Sequence, residues 1–266
     1  MTQEAFPEFN VQTETRYGPM LYNKNDIYIG RSFELYGEFS HGEAHCFDAV
    51  VKPGMTVIEV GANIGAHTVF LARKVGPRGQ VHAFEPQLVV FQTLCANLAL
   101  NQLTNVVTYY AAAGSAAGNL LVPVLEPKVS NNFGGLGLGG FDTGMEVPVI
   151  PIDSLKLGSC HFLKADVEGM EESVLRGAED TIRRHRPILY IEDDRPEKSD
   201  SLVGYIASLG YRMFKHTPTL FNPENFKANP ENVFPNIVSK NLLCVHQSIQ
   251  TQIVGMPELT PGGLVI

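Results

Sequence analysis

From residue 55 onward the chain alternates short apolar runs with stretches whose apolar positions recur every three or four residues. MTVIEV (55–60) is rich in β-branched residues and enters the turn GANIG, and IGAHTVFLARKV (64–75) continues with helical spacing to Gly76-Pro77. The same logic predicts strands at QVHAFEP (80–86), NVVTYYAA (105–112), HFLKADVEG (161–169) and PILYIEDD (187–194). Between them it predicts helices at 88–101, 170–186 and 199–210, and it places two final strands at YRMFKH (211–216) and VSKNLLCVH (238–246). Strands separated by helices of this length imply βαβ units and a parallel sheet.

Two segments fall outside that rhythm. Residues 1–50 hold the alternating, aromatic run RYGPMLYNKNDIYIG, then a predicted helix from Gly42 to Val51. Residues 114–158 hold NLLVPVL and MEVPVIPI on either side of NNFGGLGLGGFDTG, the pattern of an inserted hairpin with a glycine-rich tip. Neither is bounded by a Pro/Ser linker or a charge run. The expected organisation is an N-terminal cap or lid (1–50), one α/β domain (51–248) carrying the insertion, and a C-terminal tail (249–266).

Composition narrows the function. The 266 residues carry 20 Lys+Arg against 28 Asp+Glu, a net charge of −8, which argues against a nucleic-acid partner because phosphate binding relies on Lys and Arg. The four cysteines lie far apart in apolar stretches, without metal spacing, and read as buried reduced thiols. The polar N-terminus has no leader character, and no apolar run reaches the ~18 residues of a membrane span. A soluble, cytoplasmic protein without a membrane partner is expected.

The chemistry gathers at predicted strand ends. In Val60-Gly61-Ala62-Asn63-Ile64-Gly65 a strand feeds a tight turn that opens a helix. Gly61 and Gly65 permit close backbone approach and positive φ, and Asn63 is among the few other residue types that tolerate that region. The spacing is neither the dinucleotide GxGxxG nor the phosphate loop GxxxxGK[ST]. Glu85 ends the second strand, where an acid can accept hydrogen bonds from both hydroxyls of a ribose. Together they indicate an adenosine-containing ligand with no demand for a pyrophosphate. Asp166, Glu168 and Glu171 follow the fourth strand, and Glu192, Asp193 and Asp194 end the fifth. Ligands of parallel α/β sheets bind outside the carboxyl ends of the strands, so these acids converge on the same crevice. There they can act as bases, hold a cation or orient an acceptor; Glu168 and Glu171 could instead cap the helix that follows.

EVGANIGAHT, the AFEP after the second strand, KADVEGMEESVLRGA and RPILYIE occur in the order found in FkbM-type methyltransferases, and the chain resembles that family over residues 36–246. The resemblance implies a Rossmann-like class I methyltransferase fold, a seven-stranded, mostly parallel sheet with a reversed last strand and helices on both faces. It implies S-adenosylmethionine as cofactor, with Gly61, Ala62, Asn63 and Gly65 on the methionine side, Glu59 beneath the loop and Glu85 on the ribose. Thr68, Pro86 and Ser40 complete the expected cofactor set, Ser40 within a lid formed by Phe39-Ser40-His41. NNFGG (131–135) and FNPENF (221–226) are expected at the acceptor mouth.

Transfer to a hydroxyl also needs a base. Asp166 is the expected one, supported by Glu168 and Glu192, with His216 as a second candidate. Catechol-type O-methyltransferases place an acid and an Asp-Asn pair around Mg²⁺ at similar positions, so Asp166, Glu192 and Asp193 form a possible Mg²⁺ or Mn²⁺ set, with Asp where those enzymes have Asn. The expected acceptor is a hydroxyl of a small metabolite, saccharide or natural product; nitrogen of a peptide or natural product is the alternative. A non-catalytic module that only binds S-adenosylmethionine is a further one. Oligomeric state is not written in the sequence.

Overall fold

The computed structural model describes residues 8–259; the expectations for the N-terminal leader and for the end of the tail lie outside the described residues. A hairpin of β1 (Asn10–Thr15) and β2 (Gly18–Asn23) comes first, followed by helices α1 (Ile29–Tyr36) and α2 (His41–Val50). Then β3 (Thr56–Val60), α3 (Ala66–Val75), β4 (Gln80–Phe84), α4 (Leu88–Leu100) and β5 (Val106–Tyr109) form two successive βαβ units. The two-residue strand β6 (Ala112–Ala113) leads into β7 (Gly118–Val122) and β8 (Met145–Ile150), which pair antiparallel. The chain returns through β9 (Phe162–Ala165), α5 (Glu171–Arg176), α6 (Glu179–His185), β10 (Ile188–Glu192) and α7 (Pro196–Ser208). It ends with β11 (Tyr211–His216), β12 (Asn241–His246) and the short β13 (Glu258–Leu259).

The main sheet has the order β13-β11-β12-β10-β9-β3-β4-β5. β3, β4, β5, β9 and β10 are parallel, and β12 runs antiparallel between β10 and β11. The reversed strand is where the class I pattern puts it. An eighth strand is the departure from the expected seven: β13, from the segment expected as tail, pairs with β11 through Met213 and Phe214. β6, β7 and β8 form a separate three-stranded sheet, so the predicted strand 105–112 is split between two sheets.

Burial follows the period of two along the strands. Ile58, Leu163, Leu189 and Ile191 pack on one face with Val174, Ile182 and Ile206 of α5–α7. Val57, Phe162, Tyr190 and Leu243 pack on the other with Phe47 of α2 and Leu71 of α3. The predicted helix 170–186 divides at Gly177-Ala178 because the backbone of Gly177 lies against the Gly114 carbonyl, where no side chain fits. Asp153 then starts α6 afresh, accepting hydrogen bonds from Asp180 N at 3.0 Å and Thr181 N at 2.8 Å.

The chain leaves β3 toward β4 on one side and returns to β9 on the other, so β3 and β9 flank the point where the winding reverses. The crevice opens outside their carboxyl ends. α2, which begins at the last residue of the expected Phe39-Ser40-His41 lid, packs on the sheet: the Phe47 ring sits edge-on to Phe162 at 5.3 Å and Tyr190 at 4.8 Å. Phe47→Ala is expected to cost about 3–5 kcal/mol of unfolding free energy, as measured by urea denaturation. A loss below about 1 kcal/mol would mean that α2 is not anchored in this way.

Candidate functional site

The turn after β3 is held by backbone geometry. Gly61 has φ +80°, and a side chain there would collide with the main-chain oxygen of Asp166, so the exits of β3 and β9 touch. Asn63 adopts φ +51°. Gly61 N and Ala62 N both donate to Phe84 O, at 3.1 and 2.9 Å, tying the turn to the end of β4. Glu85, only 3% exposed, accepts from Asn63 N at 2.9 Å through Oε2 and from Gln87 N at 2.8 Å through Oε1. Burial pushes its carboxyl up to about 7 despite these two donors.

On the α2 side of the sheet, Glu59 of β3 and Lys164 of β9 are register partners. Lys164 is 2% exposed, with Nζ 2.9 Å from Asp166 Oδ2. Burial alone would strip its proton, but Asp166, Glu59 and Glu43 together hold its pKa above the ordinary lysine value. Burial likewise opposes charge on Asp166, and the ammonium of Lys164 outweighs it and keeps this carboxylate below its usual range. Glu59 and Glu43 are both pushed to about 7 by burial, with Lys164 as the main opposing influence. Glu59 accepts from Thr68 Oγ1 at 2.6 Å, and Glu43 from Asn241 Nδ2 at 2.8 Å. His67, 5% exposed, is driven down to about 3 by burial and by Lys164, so its ring is neutral. Its Nε2 faces Glu43 Oε2 at 3.5 Å and has no hydrogen-bond partner among the described residues.

A third group lies beyond β9 and β10. Carboxylate oxygens of Glu168, Glu192 and Asp194 come within 4.8 Å of one another. Glu168 stands in the left-handed region at φ +56°. Its carboxyl contacts Arg195 and is raised to about 7 by burial and by Asp166. Burial and the Asp166 charge push Glu192 far above the ordinary range, which keeps it protonated.

These groups line one cavity of about 480 Å³. Of the residues expected from sequence, Glu59, Gly61, Ala62, Asn63, Glu85 and Pro86 line it. Asp166, Glu168 and Glu192 do so as well.

Five others stand elsewhere. Gly65 faces Leu94 of α4. Thr68 is buried and reaches the cavity only through Glu59. Ser40 is buried at the start of α2 while its neighbour Phe39 lines the space. His216 is engaged at Nδ1 by Tyr190 OH at 2.7 Å, away from the cavity, and is no base there. Asp193 points away because side chains alternate along an extended strand end; its Oδ2 accepts from Ser199 Oγ at 2.9 Å.

The expected Mg²⁺ set Asp166, Glu192 and Asp193 is therefore not assembled. In the acid group that does assemble, Arg195 contacts Glu168 and lies 3.5 Å from Asp194 Oδ2, so a guanidinium already balances the charge a cation would meet. The donor set does not fit a resident divalent ion without displacing it.

NNFGG, expected at the acceptor mouth, lies on the Asn63–Gln87 side. Gln87 Nε2 donates to Phe133 O at 2.7 Å, and a Cβ on Gly134 would come 3.0 Å from Asn63 Nδ2. FNPENF does not line the cavity: Asn222 Nδ2 and Phe226 N donate to the buried carboxylate of Glu38, which also pairs with Arg16. Asp194, expected in the crevice with its neighbours, lines the cavity, whereas Glu43, His67, Lys164, Arg195 and Lys240 line it and were missed. The available signal was Lys164, a charge inside the apolar strand FLKA, where only a paired lysine can be buried.

A family model, the methyltransferase FkbM domain, matches residues 59–213. The chain belongs to this family. It is an S-adenosylmethionine-dependent methyltransferase. "Methyltransferase 1" of Beauveria bassiana is 25% identical over 58% of this chain and 72% of its own. The "31-O-demethyl-FK506 methyltransferase FkbM" of Streptomyces tacrolimicus is 30% identical, over 58% of this chain and 71% of its own. A crystal structure of "Methyltransferase FkbM" from Methylobacillus flagellatus KT shares the fold at TM-score 0.50 and 20% identity, over 76% of this chain and half of that one. Among the described residues no helix is long and apolar enough to cross a membrane.

The raised carboxyl pKa values have a stability consequence. Glu59, at about 7 in the fold against an ordinary 4.5 in the unfolded chain, binds more protons folded than unfolded between those limits, so this contribution is lost as pH rises from 4.5 to 7. Glu59→Gln is expected to flatten the fall in urea stability of the unliganded protein between about pH 5 and 8, by up to roughly 3 kcal/mol. An unchanged slope would assign the effect to other groups.

Proposed function

We propose that this methyltransferase transfers a methyl group to a hydroxyl of a small-molecule acceptor, in the cavity at the carboxyl ends of β3, β4, β9 and β10. The observation that carries the reading is the meeting there of the Glu85-braced glycine turn with the acids after β9 and β10. S-adenosylmethionine supplies a methyl group on a positively charged sulfur. Glu85 would accept from the ribose hydroxyls through the lone pairs left free by Asn63 N and Gln87 N. The Gly61–Asn63 backbone, with Glu43, His67 and Lys164, would receive the amino-acid end. Strand spacing fits this division: β4 and β9 flank β3, so Glu85 and Lys164 stand on strands about 10 Å apart.

The residues near the acceptor differ in proton affinity. Lys164 keeps Asp166 ionised, which makes it a weak base but a fixed negative charge for orienting the acceptor hydroxyl. Glu168, poised at about 7, is the group matched to taking the hydroxyl proton as the oxygen–methyl bond forms. Protonated Glu192 can donate a hydrogen bond beside them. Alignment of acceptor oxygen and methyl group accounts for most of the assistance the chain must give, up to roughly 7–11 kcal/mol. The name of the S. tacrolimicus relative states an O-demethylated acceptor, which favours oxygen over nitrogen here.

Calorimetry tests the cofactor half. Glu85→Ala is expected to weaken S-adenosylhomocysteine binding at least about 10-fold, the loss of roughly one charge-assisted hydrogen bond; unaltered affinity removes the ribose role. His67→Ala is expected to weaken S-adenosylhomocysteine but not methylthioadenosine, which lacks the amino-acid end. Equal losses for both ligands would show general damage instead.

A further inference from the structure

The mouth of the cavity is built by three excursions from the sheet: the cap with Tyr28 and Phe39, the glycine-rich stretch with Leu136 and Leu138, and the β11–β12 connection with Leu220, Ile237 and Val238. The last is a fixed ribbon. Leu220 N donates to Ile237 O and Ser239 N to Pro218 O, both at 3.0 Å, and Thr219 bridges Val238. On this ribbon Ile237 and Val238 remain 38% and 40% exposed while lining the cavity. Two large aliphatic side chains are thus held rigidly at a cavity mouth without cover, although apolar surface is stabilised by leaving water.

The interior has the opposite character. Acids outnumber Lys and Arg among the lining residues seven to three, and two of the three cations already pair with acids inside it, Lys164 with Asp166 and Arg195 with Glu168. Glu192 is protonated and Glu43, Glu59, Glu85 and Glu168 are raised to about 7, so the lining is polar more than strongly charged. With Lys164 and Arg195 already paired, an anionic acceptor finds little positive charge to receive it. A cavity of about 480 Å³ is near the lower end of ligand pockets, roughly 300–1,000 Å³, and must also hold a nucleoside joined to an amino acid. The acceptor therefore inserts little more than its reacting group, and its bulk rests on the rim.

We infer that the acceptor is an uncharged molecule with an apolar body, which lies on Ile237, Val238 and Leu220 and presents a hydroxyl to the acids inside. This rests on reading the cavity as the methyl-transfer site and narrows it against saccharides, sugar phosphates and nucleotides. A polyhydroxylated ring would leave its hydroxyls unpaired on aliphatic side chains and lose affinity for that reason.

The test is calorimetric titration of the protein, saturated with S-adenosylhomocysteine, with primary alcohols from butanol to octanol and with methyl glucoside. Affinity is expected to tighten roughly threefold to fourfold for each added methylene until the rim is covered, with methyl glucoside weaker than every alcohol beyond butanol. In Ile237→Asp/Val238→Asp the dependence on chain length should disappear while S-adenosylhomocysteine affinity stays within about twofold. Affinity independent of chain length, absence of alcohol binding, or tighter binding of methyl glucoside would overturn the inference. The same titrations without S-adenosylhomocysteine read the rim separately. If the wild-type protein does not bind S-adenosylhomocysteine but retains the chain-length dependence, the cofactor reading fails and the apolar rim stands.

Discussion

The arrangement depends on a buried lysine that cannot leave its carboxylates. Lys164 sits in β9 opposite Glu59 of β3, with Asp166 just beyond the end of the same strand and Glu43 on α2. Without these acids an amine at this depth would lose its proton; without the amine the acids would repel one another across a few ångströms. Removing one partner of such a buried cluster costs about 3–5 kcal/mol, because the rest is left uncompensated. The cluster therefore fixes the two strand ends whose loops form the site, and the contact between Gly61 and the Asp166 carbonyl sets how closely they approach.

The charge fixed at this cluster also bears on the proton affinities of the acids around it. Carboxylates that looked equivalent along the chain differ because each is buried among a different set of neighbouring charges. Asp166 is hydrogen-bonded to it and stays charged, whereas Glu192 meets the resulting negative charge with no cation of its own and stays protonated. Glu168, balanced by Arg195, lies between them. Burial, Lys164 and Arg195 thus leave three similar side chains with three different proton affinities.

The βαβ rhythm and the turn at Gly61 were legible because apolar period, glycine placement and strand-end acids are local properties of sequence, whereas the reversed strand β12 was expected only from the family resemblance. The helix break at Gly177 was not legible, since it comes from a main-chain contact with Gly114, far earlier in the chain. Asp193 was paired with Glu192 by comparison with catechol-type O-methyltransferases, yet alternation at the strand end turns neighbouring side chains to opposite sides, and Asp194 takes that place. Ser40 and Gly65 stand close in sequence to lining residues but face the packed side of their helices. Glu43 and His67 could not be placed from sequence, because their partners lie on β12 and β9. The excursions 131–138 and 217–240 lie outside the strand–helix rhythm, and together with residues 26–39, whose helix α1 was not foreseen, they shape the mouth.

The most direct measurement is a crystal structure of the protein with S-adenosylhomocysteine. The account predicts ribose hydroxyls within about 2.7–3.2 Å of the Glu85 carboxylate, the amino-acid end between the Gly61 turn and His67, and the sulfur directed toward Asp166 and Glu168. A product bound with its sulfur turned away from those acids, or bound outside the cavity, would contradict it.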